Sequence, residues 1–125
     1  MTVISAPSMH DQLYVGTHGN VSVAKSKVTL LGAAVGDVIE MLDIPIGIEF
    51  IGLRIATSGL GEGVMADIRL GEILLAEDVD LSGEYSQSIN CEAYTREKQK
   101  LTVTLKGDSA TGTLQIRPEY IATGY

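Results

Sequence analysis

The sequence predicts an all-β protein, an antiparallel β-sandwich of about eight short strands. Along most of its apolar stretches, hydrophobic and polar residues alternate with a period of two, as they do on half-buried strands. Val, Ile and Thr are frequent, and these side chains favour strands over helices. The 14 glycines are spread along the chain without a repeat, and scattered glycines of this kind usually mark turns in an all-β domain. With 125 residues, we expect one domain, residues 20–125, behind an extended N-terminal arm, residues 1–19.

The arm is polar and irregular in sequence. A terminal segment of this kind becomes ordered when another part of the structure, such as a neighbouring chain, ties it down. His10 and His18 lie in the arm, but they are far apart and no further ligand residues cluster with them. Because a zinc site needs four ligands, most of them from the protein, we predict that the protein binds no metal.

The most apolar stretch of the chain, residues 36–57, is predicted to form two strands. Pro45 and Gly47 interrupt it, and these residue types favour a bend between strands. Two further candidate strands, residues 21–24 and 27–31, precede this stretch. The sequence therefore predicts four strands in its first half.

The strand after Gly47 has apolar side chains of both parities. Those of one parity are Ile51, Leu53 and Ile55, and those of the other are Ile48 and Phe50. A second covered face is expected where a strand packs against another subunit, although a loop over a central strand gives the same pattern. Ile48 and Phe50 are therefore candidate contact residues.

Two segments have the composition of ligand-binding loops without their context. The stretch SGLGEG, residues 58–63, is as rich in glycine as a phosphate-binding loop, but a strand follows it and not the required helix. We predict a hairpin turn there. Glu77, Asp78 and Asp80 could ligate calcium, but they lack the spacing and the glycine of a calcium loop. A solvated loop is the better interpretation, after a short strand or helical turn at residues 73–76.

The clearest alternation lies in residues 100–121, which we predict to form an antiparallel hairpin that closes the domain after a strand at residues 85–91. The apolar positions are Leu101, Val103 and Leu105 in one arm, and Leu114, Ile116 and Tyr120 in the other. The link GDSATG contains residues that tolerate the positive φ of hairpin turns. Pro118 is expected near the end of the last strand, because proline is tolerated only at strand ends and edges.

Charge and composition exclude several classes of partner. The formal net charge is −7, which disfavours nucleic acid, because phosphate binding needs clustered Lys and Arg. It also disfavours electrostatic attachment to anionic lipid, and no apolar run approaches the ~20 residues of a membrane span. We expect neither a nucleic-acid partner nor a membrane. Cys91 is the only cysteine, so no intrachain disulfide is possible, which fits a reducing cytoplasm.

No catalytic set is visible in the sequence. A Ser–His–Asp set needs a histidine near the nucleophile, but both histidines lie in the arm. Cys91 stands beside Glu92, whose charge disfavours the thiolate. Carboxylates are numerous enough for glycoside cleavage, but there is no Trp to form a platform for sugars. We therefore expect no enzyme, no catalytic residues and no cofactor.

Three segments carry a resemblance to a known family. They are GDVIEMLDIPIGIEFIGLRIA (residues 36–56), ADIRLGEILLAEDVDLSG (residues 66–83) and LTVTLKGDSATGTLQIRPEYI (residues 101–121). In this order they resemble the small jelly-roll proteins encoded in the head modules of tailed bacteriophages, described as capsid decoration, cement or head-fibre-base proteins. The likeness spans residues 20–121 and leaves out the arm.

The resemblance implies a jelly-roll-like sandwich and a non-enzymatic virion structural protein. Such a protein would be made in the cytoplasm of the host bacterium. It would bind the outside of a shell of major capsid protein as a homotrimer, and it would stabilise that shell because it binds only the assembled state. The contact residues expected are Leu13, Tyr14 and Val15 in the arm, and Ile48 and Phe50 in the sandwich.

Three alternatives stay open at this point. The first is another phage structural role on a similar sandwich, such as a tail, baseplate or fibre-base component. The second is a carbohydrate-binding β-sandwich, which needs exposed aromatic residues, and the chain has only five Tyr and one Phe. The third is a hydrolase or isomerase built on a small β-barrel.

Overall fold

The fold was obtained as a computed structural model that describes residues 2–10, 12–13, 15 and 20–123. The prediction of an all-β sandwich is confirmed. The strands are β1 (Val3–Ser5), β2 (Val21–Val23), β3 (Ser26–Ala33), β4 (Val38–Ile44), β5 (Ile48–Ser58), β6 (Met65–Leu70), β7 (Ile73–Asp80), β8 (Glu84–Tyr94), β9 (Gln99–Lys106) and β10 (Ala110–Ala122). A short 3₁₀ helix, Pro7–His10, follows β1. Within the described ranges, no helix has the length and apolar character needed to cross a membrane.

The strands form two sheets that pack face to face. The first sheet has the order β1-β4-β9-β6-β7, and the second has the order β2-β10-β5-β8 with β3 also paired to β10. From β3 onward, successive strands alternate between the sheets, except that β6 and β7 form a hairpin. The eight strands β3 to β10 thus make two four-stranded antiparallel sheets, which is the jelly-roll arrangement. β1 adds a parallel edge strand beside β4.

The predicted hairpin of residues 100–121 does not exist. β9 pairs with β4 and β6 in the first sheet, whereas β10 pairs with β2, β3 and β5 in the second. The apolar residues of the two strands therefore face each other across the core, where all of them are buried. Alternation predicts which face of a strand is buried but not which strand lies beside it. Residues 58–63 were likewise predicted as a hairpin turn, but they connect β5 in the second sheet to β6 in the first.

Pro118 lies inside β10 and not at its end, because a break in the neighbouring strand accommodates it. β3 pairs with β10 as far as Ser26 opposite Ile116, and pairing resumes in β2 with Val23 opposite Glu119. The backbone N–H of Ala24 donates to the Pro118 carbonyl, so the nitrogen side of Pro118 faces the same gap. The missing proline N–H thus falls where no regular ladder partner stands.

A β-bulge in β5 corrects the predicted faces of that strand. Gly52 and Phe50 pair with the adjacent residues Glu119 and Tyr120 of β10, so Ile51 has no counterpart in that ladder. The ladder to β8 also skips Ile51. The extra residue reverses the parity, which places Phe50 and Leu53 on the same buried face and turns Ile51 outward.

The sandwich has two lateral sides, each formed by one edge strand from each sheet, and these two sides differ. On the side of β1 and β3, which we call the closed side, the 3₁₀ helix Pro7–His10 packs against β3 and β4. Ala6 is fully buried there, and the Ser8 hydroxyl donates to the Met41 carbonyl over 2.5 Å. On the side of β7 and β8, which we call the open side, Leu75, Ile89 and Cys91 pack against the core but stay partly exposed.

Candidate interaction surfaces

A groove opens at the end of the sandwich where β4 and β8 finish. It has a volume of about 960 Å³ and is lined by Met9, His10, Gln12, Leu13, Val15, Asp43, Pro45, Ile46, Arg96, Glu97 and Lys98. Of the predicted contact residues, Leu13 is half-buried and Val15 is exposed in this groove. Tyr14 lies outside the described residues. The structure thus brings two arm residues together with the β4–β5 turn and the β8–β9 loop.

This end groove is lined by both positively and negatively charged side chains. Arg96 and Lys98 stand with Glu97 and Asp43, and one carboxylate oxygen of Asp43 is buried without a hydrogen-bond partner in the described part of the chain. Such a lining can receive a polypeptide segment that offers both apolar and hydrogen-bonding groups. His10 lies here, but nowhere among the described residues do three His, Cys, Asp or Glu side chains come together as a metal site. His18 lies outside those residues.

Ile48 and Phe50 are not at the surface. They are 1% and 0% exposed and belong to the core, whereas Ile51, which the bulge turns outward, is 37% exposed. A contact role for Ile48 or Phe50 would require the sandwich to open. The exposed apolar residues of the second sheet, which alternation did not identify, are Val21, Val23, Leu31, Ile51 and Tyr94.

The acidic run after β6 is part of a strand and not the solvated loop that the sequence predicts. β7 extends through Asp80, with a register shift between Ala66 and Ile68 of its partner β6. Asp78 sits in this bulge with a φ of 53°, a conformation that aspartate tolerates better than most residues. The bulge aims the Asp78 N–H at a carboxylate oxygen of Asp67, 3.0 Å away.

Lys106 completes this cluster on the outer face of the first sheet. Its ammonium donates to Asp67 over 3.3 Å and also to Asp78, and Arg69 stands 3.8 Å from Asp67. The hydrogen bond from the Asp78 backbone is the main cause that lowers the pKa of Asp67, with help from Lys106 and Arg69. The hydrogen bond to Asp78 is the main cause that raises the pKa of Lys106. The carboxylates are satisfied by protein donors, so the cluster acts as a clasp between β6, β7 and β9.

Cys91 is not activated as a nucleophile. Burial raises the pKa of its thiol, which reduces the thiolate fraction at neutral pH. From the charge of Glu92 we also expected a smaller thiolate fraction, but the structural cause is desolvation of the thiol. Tyr85, on the same strand, also has its pKa raised by burial, with a smaller effect of Asp80.

The closed side has a second groove, of about 560 Å³. Its lining comes from the segment that covers this side and from β3: Ile4, Ser5, Pro7, Ser8, Lys25, Lys27, Val28 and Thr29. Both lysines are exposed. The groove is therefore apolar at its base and basic at its rim.

The fold is shared with chains from bacteriophage capsids. A chain in the capsid of Ralstonia phage GP4 superimposes with a TM-score of 0.74 at 13% identity, over 99% of this chain and 100% of that chain. A chain in the capsid asymmetric unit of cyanophage Pam1 gives 0.68 at 14% identity, over 90% and 94%. A chain in the acid-stable capsid of Helicobacter pylori bacteriophage KHP30 gives 0.57 at 10% identity, over 86% and 92%.

No protein-family model and no curated protein matches the sequence. At these identities the superpositions establish the fold, and each pairs nearly the whole of this chain with nearly the whole of the other. The chain therefore has the jelly-roll fold of small, separate chains found in phage capsids.

Proposed function

We propose that the protein is a non-enzymatic virion structural protein of a tailed bacteriophage. In this proposal it binds the outside of the shell of major capsid protein as a homotrimer and stabilises it, after synthesis in the cytoplasm of the host. One observation carries the proposal: the three phage capsid chains described above are covered over 92% or more of their own length. The likeness is thus to whole small capsid chains and not to a domain of a large one.

The chemistry of the chain supports a binding role. Cys91 is not activated, and the clustered carboxylates around Lys106 are satisfied by protein donors. A protein that binds only the assembled shell stabilises it by mass action. Three linked copies would also multiply weak contacts through their effective concentration.

The end groove is the surface we assign to the shell. It combines the arm residues Leu13 and Val15 with exposed Ile46 and with charges of both signs. This mixture suits a polypeptide loop of the shell better than a sugar or a nucleotide. The role of the arm, residues 1–19, is part of the proposal.

The test is sedimentation of the purified protein with capsids of its own phage that lack it. We expect it to sediment with the capsids and to raise the temperature at which they open. Replacing Leu13 and Val15 by Ser should weaken binding about tenfold, since about 1.4 kcal/mol of contact corresponds to that factor. Val35→Ser is the matched control, because Val35 is as exposed as Val15 but lies between β3 and β4.

Two results would contradict the proposal. A folded protein that never sediments with capsids has no decoration role. Antibody labelling of the tail of intact virions, with none on the head, would instead favour the tail, baseplate or fibre-base alternative.

A further inference from the structure

The two sides of the sandwich carry opposite charge. Residues 70–95, which include β7 and β8, contain no Lys, Arg or His and six carboxylates: Glu72, Glu77, Asp78, Asp80, Glu84 and Glu92. Residues 1–36, which include β1 to β3, contain Lys25 and Lys27 and only one carboxylate, Asp11. The open side is therefore strongly acidic, and the closed side is weakly basic.

Apart from Asp78, which pairs with Lys106, the charged side chains at these two sides form no ion pair within the described part of the chain. Lys25 and Lys27 are exposed, as are Glu72, Glu77, Glu84 and Glu92, and none of them forms an ion pair with another described residue. They cannot reach each other, because the five-stranded first sheet separates the two sides by about 19 Å at ~4.8 Å per strand. Only a second molecule can bring them together.

The two sides also match in shape. Ile73 and Leu74 lie on opposite faces at the start of the edge strand β7 and together form an apolar projection from its edge, with 46% and 43% of their surface exposed, between Glu72 and Glu77. The groove on the closed side has an apolar base with Ile4, Pro7 and Val28, and Lys25 and Lys27 at its rim. An apolar projection flanked by carboxylates thus stands opposite, on the same molecule, an apolar groove flanked by ammonium groups.

The register of the first sheet places both features at the same level along the strands. Leu74 pairs with Arg69, and Arg69 pairs with Thr102. Thr102 pairs in turn with Glu40, and Glu40 with Ser5, which lines the groove. Because projection and groove share one row of the sheet, a head-to-tail contact needs little shift along the strands. A head-to-tail contact closes into a ring only when the rotation between neighbouring copies divides a full turn, and a shift along the ring axis would instead produce an open filament.

We propose that copies of this chain join head to tail into a closed ring, with the acidic open side of one copy seated in the Lys25–Lys27 groove of the next. The ring number of three rests on the proposed function, but the contact itself does not. The contact covers the partly exposed Leu75, Ile89 and Cys91 and supplies counter-ions to both sides.

Charge reversal tests the contact. The double variants Lys25→Glu/Lys27→Glu and Glu72→Lys/Glu77→Lys should each convert a three-copy particle into monomers in analytical ultracentrifugation. The quadruple variant, which reverses both sides, should restore the three-copy mass. Glu62→Lys/Asp108→Lys, at exposed positions in the β5–β6 and β9–β10 loops, should leave the mass unchanged. Circular dichroism checks that every variant is folded.

A covalent test uses Ser5→Cys and Leu74→Cys together in a Cys91→Ser background. Mild oxidation should give covalent trimers and no larger species, because each molecule of a closed ring contributes both cysteines to neighbours. Either cysteine alone should leave monomers. A ladder beyond three copies would overturn the closed ring, and monomers only would overturn the contact.

The outcomes separate this inference from the proposed function. A wild-type monomer, or a double variant that keeps its three-copy mass, overturns the head-to-tail contact even if the protein sediments with capsids. A ring that never binds capsids leaves the contact intact and contradicts the decoration role.

Discussion

The closed side and the open side of the sandwich are both formed by edge strands of the two sheets, yet only the closed side is covered by another segment of the described chain. On the closed side, residues 2–10 cover the gap between the sheets, and Ala6 and Ser8 are buried. On the open side, no described helix or strand plays this part, and core-facing residues of β7 and β8 stay partly exposed. The two sides of this sandwich thus differ in whether a segment of the chain covers the gap between the sheets. We propose that a second copy supplies the segment missing at the open side.

The largest expected difference in stability between the two sides comes from burying a polar side chain at each of them. Ala6→Asn buries an amide in a fully packed position, so it should lower the free energy of unfolding by roughly 2 to 4 kcal/mol. Ala76→Asn, at a half-exposed position of β7, should cost under about 1 kcal/mol. Urea unfolding at one protein concentration measures both. Equal losses would mean that the two sides are equally sealed.

The clasp at Asp67 should make the attachment of β7 depend on pH. Asp67→Asn should lower the unfolding free energy at pH 7 by about 1 to 2 kcal/mol, because it weakens charge-assisted bonds that are partly screened by solvent. The folded pKa of Asp67 is lowered, so its contribution is present above the unfolded value of about 3.9 and is lost as pH falls through the folded pKa.

The difference in unfolding free energy between wild type and Asp67→Asn should therefore shrink as the pH falls from 5 to 2.5. Glu62→Gln, at an exposed position without an ion pair among the described residues, is the control and should show no such change. A constant gap over this range would rule out Asp67 as the titrating group.

A smaller effect tests the hydroxyl that holds the 3₁₀ helix on the closed side. Ser8→Ala leaves the Met41 carbonyl buried without its donor, at a cost of about 1 to 2 kcal/mol. Ser86→Ala, on the exposed surface of β8, should change the unfolding free energy by less than about 0.5 kcal/mol. If thermal unfolding of the two variants is the same, the hydroxyl does not contribute to closing this side.

The smallest effect is expected at Tyr85 on the open side. Its hydroxyl is buried and has no hydrogen-bond partner in the described part of the chain. Tyr85→Phe should thus leave the unfolding free energy unchanged or raise it by up to about 1 kcal/mol. A clear loss of stability in urea unfolding would reveal a partner for this hydroxyl.

Strand positions could be predicted from the sequence, because alternation depends on local burial. The six apolar residues that were predicted to face inward from β9 and β10 are all buried. Their pairing could not be predicted, because Val103 and Ile116 would point inward equally well in a hairpin or in two facing sheets. The neighbours of a strand are set by contacts distant in sequence.

Bulges are the second feature of the fold that could not be predicted from the sequence. One extra residue at Ile51 reversed the predicted role of Phe50, and the bulge at Asp78 turned an expected loop into a strand. Gly52, next to Ile51, is a sign of the first bulge that the parity argument overlooked. The second bulge has no such sign, because Asp78 and not a glycine takes the positive φ. The sequence predicted contact residues in the arm but no groove, since the β4–β5 turn and the β8–β9 loop that complete the end groove are remote from the arm in sequence.

The position of β10 has a consequence for how the protein is made. This strand lies between β5 on one side and β2 with β3 on the other, yet it follows all of them in the chain. During synthesis the earlier strands of the second sheet emerge without the strand that joins them. Their edges stay unpaired until β10 leaves the ribosome, and in that interval they are the part of the nascent chain most exposed to mispairing with other chains.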